Sequence, residues 1–311
     1  MQPMILRSLA TAGVILAIAA GTGLVPAAPA LARTSPGPIL AVGAENEYAD
    51  VIEQIGGPYV SVAAVMSNPN TDPHEFEANR TVAEEVSQAE LIVQNGVGYD
   101  TFMNKIEAAS HRAGREVIVA QQVLGVPSDT FNPHLWYNPR TMPLVADAVA
   151  ADLSRMSPAH KGYFQAQAAS FVKSLQPWLG AIAAFKRDHP GTPVAVTEPV
   201  ADYMLQAAGA DIMTPESLQS AIMNGTDPSP QDISIETNLI TDRKVKVFLY
   251  NQQVTDSLTA GFLADAEKAH VPVVGVYETM PGPGYHYQSW MLAEVEALQL
   301  ALTKGKSTVR L

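Results

Sequence analysis

Two histidines in this chain directly follow prolines, in Asp72-Pro73-His74-Glu75-Phe76-Glu77 and in Asn132-Pro133-His134-Leu135-Trp136. Proline fixes its own φ and restricts the residue before it, so each imidazole is carried on a stiffened segment. Two carboxylates sit in a comparable setting. Val196-Thr197-Glu198-Pro199-Val200 and Val276-Tyr277-Glu278-Thr279-Met280 each deliver one glutamate at the carboxyl end of an apolar run that reads as a buried strand. A carboxylate in such a place is costly unless it is paired or metal-bound. Two neutral imidazoles and two carboxylates can close a shell around a divalent transition metal and balance its charge. The candidate ligands are therefore His74, His134, Glu198 and Glu278, with His286 open as an alternative to Glu278.

Taken singly, each residue has a plainer reading. A lone loop histidine is usually solvated, a strand-end glutamate can pair with Arg or Lys, and Trp136 and Tyr137 are packing residues by type. Glu75 and Glu77 read as solvated groups or as partners that orient an imidazole. His111, His160, His189 and His270 lie in helix-flanking or strand-flanking sequence and read as surface or capping residues. The four together are harder to explain as accidents of surface composition.

The elements that must position them follow a simple rhythm. Apolar runs at 39–44, 60–66, 91–95 and 116–120 alternate with helical patterns near 48–55, 81–89 and 99–109. A second series of runs follows at 193–197, 210–213, 245–250 and 271–277. Short apolar runs between helices indicate parallel sheets covered on both faces, and ligands gather beyond the carboxyl ends of such strands. The fold expected is α/β, with two lobes that each hold a roughly four-stranded parallel sheet flanked by helices. Between the two series, residues 157–188 read as one long helix opened by Ser157 as N-cap and Pro158 at the first position. Pro177 inside it should bend or interrupt it.

The first 32 residues carry one charge, Arg7, then an apolar run and the small-x-small pattern Ala30-Leu31-Ala32, the marks of an export segment. The expected organisation is an export signal at 1–32, a first lobe at 33–156, a linking helix at 157–189 and a second lobe at 190–311. The chain has no cysteine, so it holds neither a disulfide nor a thioether-linked lipid, and a freely soluble periplasmic protein is expected. A formal charge of −12 and the lack of a basic stripe argue against nucleic acid as a partner. Signatures of nucleotide-binding loops, serine hydrolases and zincins are absent from the sequence.

At the four ligand positions together, the chain resembles the metal-binding solute-binding proteins of zinc and manganese ABC importers, the cluster A-I family. Asp72-Pro73-His74 and Asn132-Pro133-His134 match its first two ligand motifs, Thr197-Glu198-Pro199 stands at the third and Glu278 at the fourth. Gln94-Asn95-Gly96-Val97-Gly98-Tyr99-Asp100 is similar to the family's stretch after the third strand. The resemblance spans essentially the chain beyond the export segment. It implies two lobes joined by a rigid helix, one Mn²⁺ or Zn²⁺ ion held between them, delivery to a membrane permease, no enzymatic activity and a monomer without stable membrane insertion. Glu198 stands where zinc-type members commonly have His, and no His-rich acidic loop separates the first two ligands, which points toward manganese. Glu278 stands where many members have Asp. An N/O site still binds Zn²⁺ more tightly than Mn²⁺ on the usual divalent order, so availability enters as well. The rival expectation from another class is an exported metallohydrolase with a His₂Glu site and a metal-bound water.

Overall fold

The computed structural model describes residues 37–70, 73 and 76–311. The expected export segment and its Ala30-Leu31-Ala32 pattern lie outside the described residues, as do Asp72, His74 and Glu75. Within Gly37–Leu311 the chain folds as one unit containing two parallel sheets.

The first half runs β1 (Ile39–Glu45), α1 (Asn46–Gly56), β2 (Val60–Met66), α2 (Arg80–Gln88), β3 (Leu91–Gln94), α3 (Thr101–Ala109), β4 (Glu116–Val119), α4 (Ala120–Leu124) and α5 (Thr141–Met156). Two further helices follow, α6 (Lys161–Ser174) and α7 (Gln176–Asp188). The second half runs β5 (Pro193–Val196), α8 (Asp202–Ala207), β6 (Asp211–Ile212), α9 (Glu216–Met223), α10 (Pro230–Thr241), β7 (Val247–Asn251), α11 (Ser257–Ala269), β8 (Val273–Val276) and α12 (Tyr287–Lys304). Strand order is β2-β1-β3-β4 in one sheet and β6-β5-β7-β8 in the other. Every strand pair is parallel.

All eight strands expected from the apolar runs are present, with ends that differ by a few residues. β6 is the shortest of the eight, two residues, paired through Pro193 and Val194 of β5. The run at 116–120 ends earlier than expected, since Ala120 already begins the short α4, which stops at Gly125 in the left-handed conformation (φ 75°). The strands β3, β7 and β8 are buried at every residue, as continuous Val/Leu/Ile runs covered on both faces require.

The expected linking helix is interrupted at Leu175, two residues before Pro177, and so becomes α6 and α7. Proline at the second position of α7 needs no backbone partner there, which is why the break falls ahead of it. The opening differs from expectation too. Pro158–His160 forms a 3₁₀ turn, and Ser157 Oγ pairs with His160 Nδ1 at 2.9 Å instead of capping a backbone N–H. α6 packs on α1 and α5, whereas α7 packs on α8 and α12, so the pair spans from one sheet's helices to the other's. One apolar cluster continues through this region. It takes in Tyr48, Trp136, Phe171, Trp178, Tyr287 and Trp290 together with Leu91 of β3 and Leu249 of β7. Wide hinge opening would expose that cluster to water, at about 25 cal/mol for each Å² of apolar surface.

Candidate metal centre

The order β6-β5-β7-β8 places β5 and β7 side by side where the strand sequence reverses direction, and the crevice beyond their carboxyl ends is where an open parallel sheet presents ligands. Glu198 follows β5, Asn251 is the last residue of β7, and Glu278 follows β8; all three are buried. The Asn251 side-chain amide donates one hydrogen bond to Glu198 Oε1 (2.9 Å) and another to Glu278 Oε1 (2.7 Å). Its own orientation is fixed. Oδ1 accepts from the Gln253 N–H at 3.0 Å, and the backbone N–H of Asn251 donates to Thr197 Oγ1 at 3.0 Å. Gln253 Oε1 in turn accepts from the backbone N–H groups of Glu278 (2.6 Å) and Thr279 (2.9 Å). The two carboxylates are therefore held on either side of a single nitrogen by strand-end backbone.

His134 comes from the other lobe, on the loop before a 3₁₀ turn at Leu135–Tyr137, and is 0% exposed. The Asn132 amide donates to the Pro199 carbonyl at 2.6 Å, which leaves Asn132 Oδ1 as an acceptor. That oxygen receives the His134 N–H at 2.9 Å and stands 2.8 Å from His134 Nδ1. Nδ1 then carries a ring hydrogen, which leaves Nε2 as the nitrogen that faces Glu278. Nε2 lies 3.2 Å from Glu278 Oε2, which also accepts from the Tyr99 hydroxyl at 2.9 Å. A proton or a metal ion between these two buried atoms would satisfy both. Tyr99 and Trp136 pack edge-on against the imidazole at centroid distances of 5.8 and 5.4 Å, which keeps it in place and away from bulk water.

Three of the four expected ligands thus share one hydrogen-bonded network: His134 touches Glu278, and Glu198 joins through Asn251. Among the described residues no three His, Asp, Glu or Cys side chains form a group that could cage an ion by themselves. His74 lies outside the described residues. Its neighbour Pro73 and the residue after Glu278, Thr279, line one cavity of about 220 Å³, together with Met66, Asn68 and Phe76. The alternative fourth ligand, His286, is placed elsewhere. It precedes α12 with Nδ1 2.6 Å from Asp50 Oδ1, while Asp50 Oδ2 accepts the Tyr287 N–H at 2.8 Å, so this histidine belongs to a contact between α1 and α12.

Further acidic groups escaped the sequence reading. Glu45 closes β1 and Glu47 opens α1; both are fully buried, and among the described residues their carboxyl oxygens meet no hydrogen-bond donor. Burial above all pushes both well above the ordinary carboxylate range, with Asp100 adding to it for Glu45 and Glu278 adding to it for Glu47. Asp100 is pushed up to about 6 by burial, although its carboxylate accepts from the Asn95 and Gly96 N–H groups. The strand-end rule that selected Glu198 and Glu278 applies equally to Glu45, the last residue of β1. Asn132 and Tyr99 stand in stretches the sequence singles out, but their roles depend on which residues the second lobe brings opposite them.

Residues 42–301 match the model of the family described as the zinc-uptake complex component A, periplasmic. The manganese-binding lipoprotein MntA of Bacillus subtilis (strain 168) is 22% identical over 247 residues, which is 74% of this chain and 76% of that protein. The zinc-binding protein TroA of Treponema pallidum (strain Nichols) is 27% identical over 151 residues; that match spans 46% of this chain and about half, 48%, of the relative. The solved structure of the periplasmic zinc-binding protein TroA from Treponema pallidum shares the fold with a TM-score of 0.73 at 18% identity, covering 86% of this chain and 99% of that one. The Pseudomonas aeruginosa solute-binding protein FpvC, solved in complex with Mn²⁺, has a TM-score of 0.69 at 19% identity over 86% of this chain and 99% of its own. With a family model matched along most of its length, this chain belongs to the periplasmic zinc-uptake component A family.

Proposed function

We propose that the protein is the solute-binding component of an ABC importer, which captures one divalent transition metal ion, Mn²⁺ or Zn²⁺, between its two lobes and hands it to a membrane permease. The ligands in this reading are His74, His134, Glu198 and Glu278. The observation that carries it is the approach of His134 Nε2 to Glu278 Oε2, 3.2 Å apart in a site where both side chains are fully buried. A proton or a metal ion would satisfy both atoms; a metal ion would also be neutralised by Glu198, held beside Glu278 by Asn251. The relatives named for manganese and for zinc fit either cargo. A hydrolytic site finds no support in a family of uptake components.

The lobes at 33–156 and 190–311, joined through 157–189, would close on the ion by small adjustments, since the shared apolar cluster opposes wide opening. Among the described residues no helix is long and apolar enough to cross a membrane. An export signal at 1–32, cleaved to leave an unlipidated monomer, completes the reading.

The test is a calorimetric titration of the purified, metal-stripped chain with Zn²⁺ and with Mn²⁺, at neutral and at mildly acidic pH. One ion per chain is expected. Affinity should fall in acid, because a metal competes with protons for its imidazole ligands. No binding of either ion, or binding that ignores acid while the fold stays intact, contradicts the reading. Selectivity has its own test. Glu198→His adds a nitrogen donor and removes a negative charge, so competition titrations should show the Zn²⁺ over Mn²⁺ preference rising and absolute Mn²⁺ affinity falling. An unchanged ratio would remove Glu198 from the ligand set.

A further inference from the structure

Asn251 is a buried group that the ligand set does not use, and its position is unusual: one neutral nitrogen donates to an oxygen of each of two glutamates from different strand ends. We infer that Asn251 is a positioning residue that restricts Glu198 and Glu278 to one oxygen each toward the metal ion, and so biases the site toward low coordination number and toward Zn²⁺ over Mn²⁺. The inference rests on the proposed ligand set and adds to it a residue that sets denticity.

The argument runs from the amide outward. Each Asn251 N–H claims the Oε1 atom of one carboxylate, and hydrogen bonding to Gln253 prevents the amide from turning away. A carboxylate must swing its plane for both oxygens to approach an ion equally, and that motion would break its bond to the amide in a site with no bulk water to replace it. One oxygen from each glutamate with one nitrogen from each histidine makes four donors, the usual tetrahedral number for zinc. The harder Mn²⁺ favours six oxygen-rich ligands, and bidentate glutamates are the direct way for this donor set to supply them. Asn251 therefore works against the manganese preference that Glu198 alone suggests. A donor shared by two buried carboxyl groups also fixes both before the ion arrives, so the site is held in its binding geometry rather than assembled by the metal.

The test compares the metal-stripped full chain with Asn251→Leu, which is similar in size and has no donor, and with Asn251→Asp, which keeps an acceptor for the Gln253 N–H while removing both donors. Zn²⁺ and Mn²⁺ affinities are measured in competition, and Co²⁺ is added as a spectroscopic probe, because four-coordinate Co²⁺ absorbs visible light far more strongly than six-coordinate Co²⁺. The expected result is a fall of about tenfold or more in the Zn²⁺/Mn²⁺ affinity ratio, on the scale of other groups that orient metal ligands, with weaker Co²⁺ absorption than the wild type. If the leucine variant does not fold, Asn251→Ala, which removes the donor and adds neither charge nor oxygen, decides in its place. Equal losses for both metals with unchanged Co²⁺ absorption, or no change at all, would overturn the inference and leave the ligand set standing. Failure of the wild-type chain to bind Co²⁺, Zn²⁺ or Mn²⁺ would instead overturn the ligand set itself.

Discussion

His134→Ala is expected to abolish most of the thermal stabilisation that metal confers on the wild-type chain. The imidazole would supply the metal bond from the first lobe that the network reveals most directly, with Nδ1 tied to Asn132 and Nε2 aimed at Glu278. Groups that merely orient a ligand cost 10–100-fold in affinity when removed, so loss of the ligand itself should cost more than about 100-fold. Stabilisation by a ligand follows its concentration relative to Kd. A 100-fold loss therefore removes about 2.7 kcal/mol at a concentration that saturates the wild type. In a chain of this size that is a drop on the order of 5 °C or more in the metal-induced shift of Tm. Melting curves of both proteins with and without Zn²⁺ check it. The metal-free melting temperature separates this from a packing defect, because the ring also fills space between Tyr99 and Trp136. An undiminished metal shift in the variant would exclude His134 as a ligand.

Glu294→Gln is expected to stabilise the protein above neutral pH and to do nothing in acid. Glu294 is buried on α12, its Oε1 accepting from Trp290 Nε1 (3.0 Å) and from the Tyr137 hydroxyl (3.2 Å). Burial pushes its carboxyl from 4.5 up to about 8, against the smaller opposing effect of those two hydrogen bonds. A raised folded-state value means that the folded protein keeps a proton that the unfolded chain gives up. Stability is thus fully present below about 4.5 and is lost as pH rises toward 8. Glutamine retains the acceptor and never ionises, so the advantage of the variant should grow across that window. At 1.36 kcal/mol per pH unit it should reach on the order of 2–4 kcal/mol at the upper end. Chemical denaturation at several pH values decides; a constant offset between the two proteins would show that Glu294 does not keep its proton on folding.

Both expectations depend on features of unequal legibility. The parallel sheets could be read directly, since buried Val/Ile/Leu runs between helical patterns leave few other arrangements. The two glutamates could be found by the cost of a carboxylate at a strand end. Glu45 obeys the same rule but is masked by the helix that begins immediately after it, and Asn251, an uncharged amide at the end of β7, falls outside the rule. The contest between Glu278 and His286 needed the tertiary structure. These residues lie close in sequence, yet one faces His134 and the other pairs with Asp50 across α1 and α12. Asn132 is legible as part of a Pro-His motif, but its bond to the Pro199 carbonyl, which fixes the tautomer of His134, exists because the second lobe brings that carbonyl within 2.6 Å. Pro177 announced a break in the linking helix, and the geometry of an early-turn proline moved that break to Leu175.

The most direct test of the central claim is an anomalous difference map from a crystal of the Zn²⁺-loaded protein, recorded on both sides of the zinc absorption edge. The expected result is a single strong peak per chain within about 2.0–2.2 Å of His134 Nε2 and of an oxygen of Glu278, with Glu198 and His74 completing the shell. A peak that avoids His134 and Glu278, or no peak in a protein shown to be folded and saturated with Zn²⁺, would contradict it.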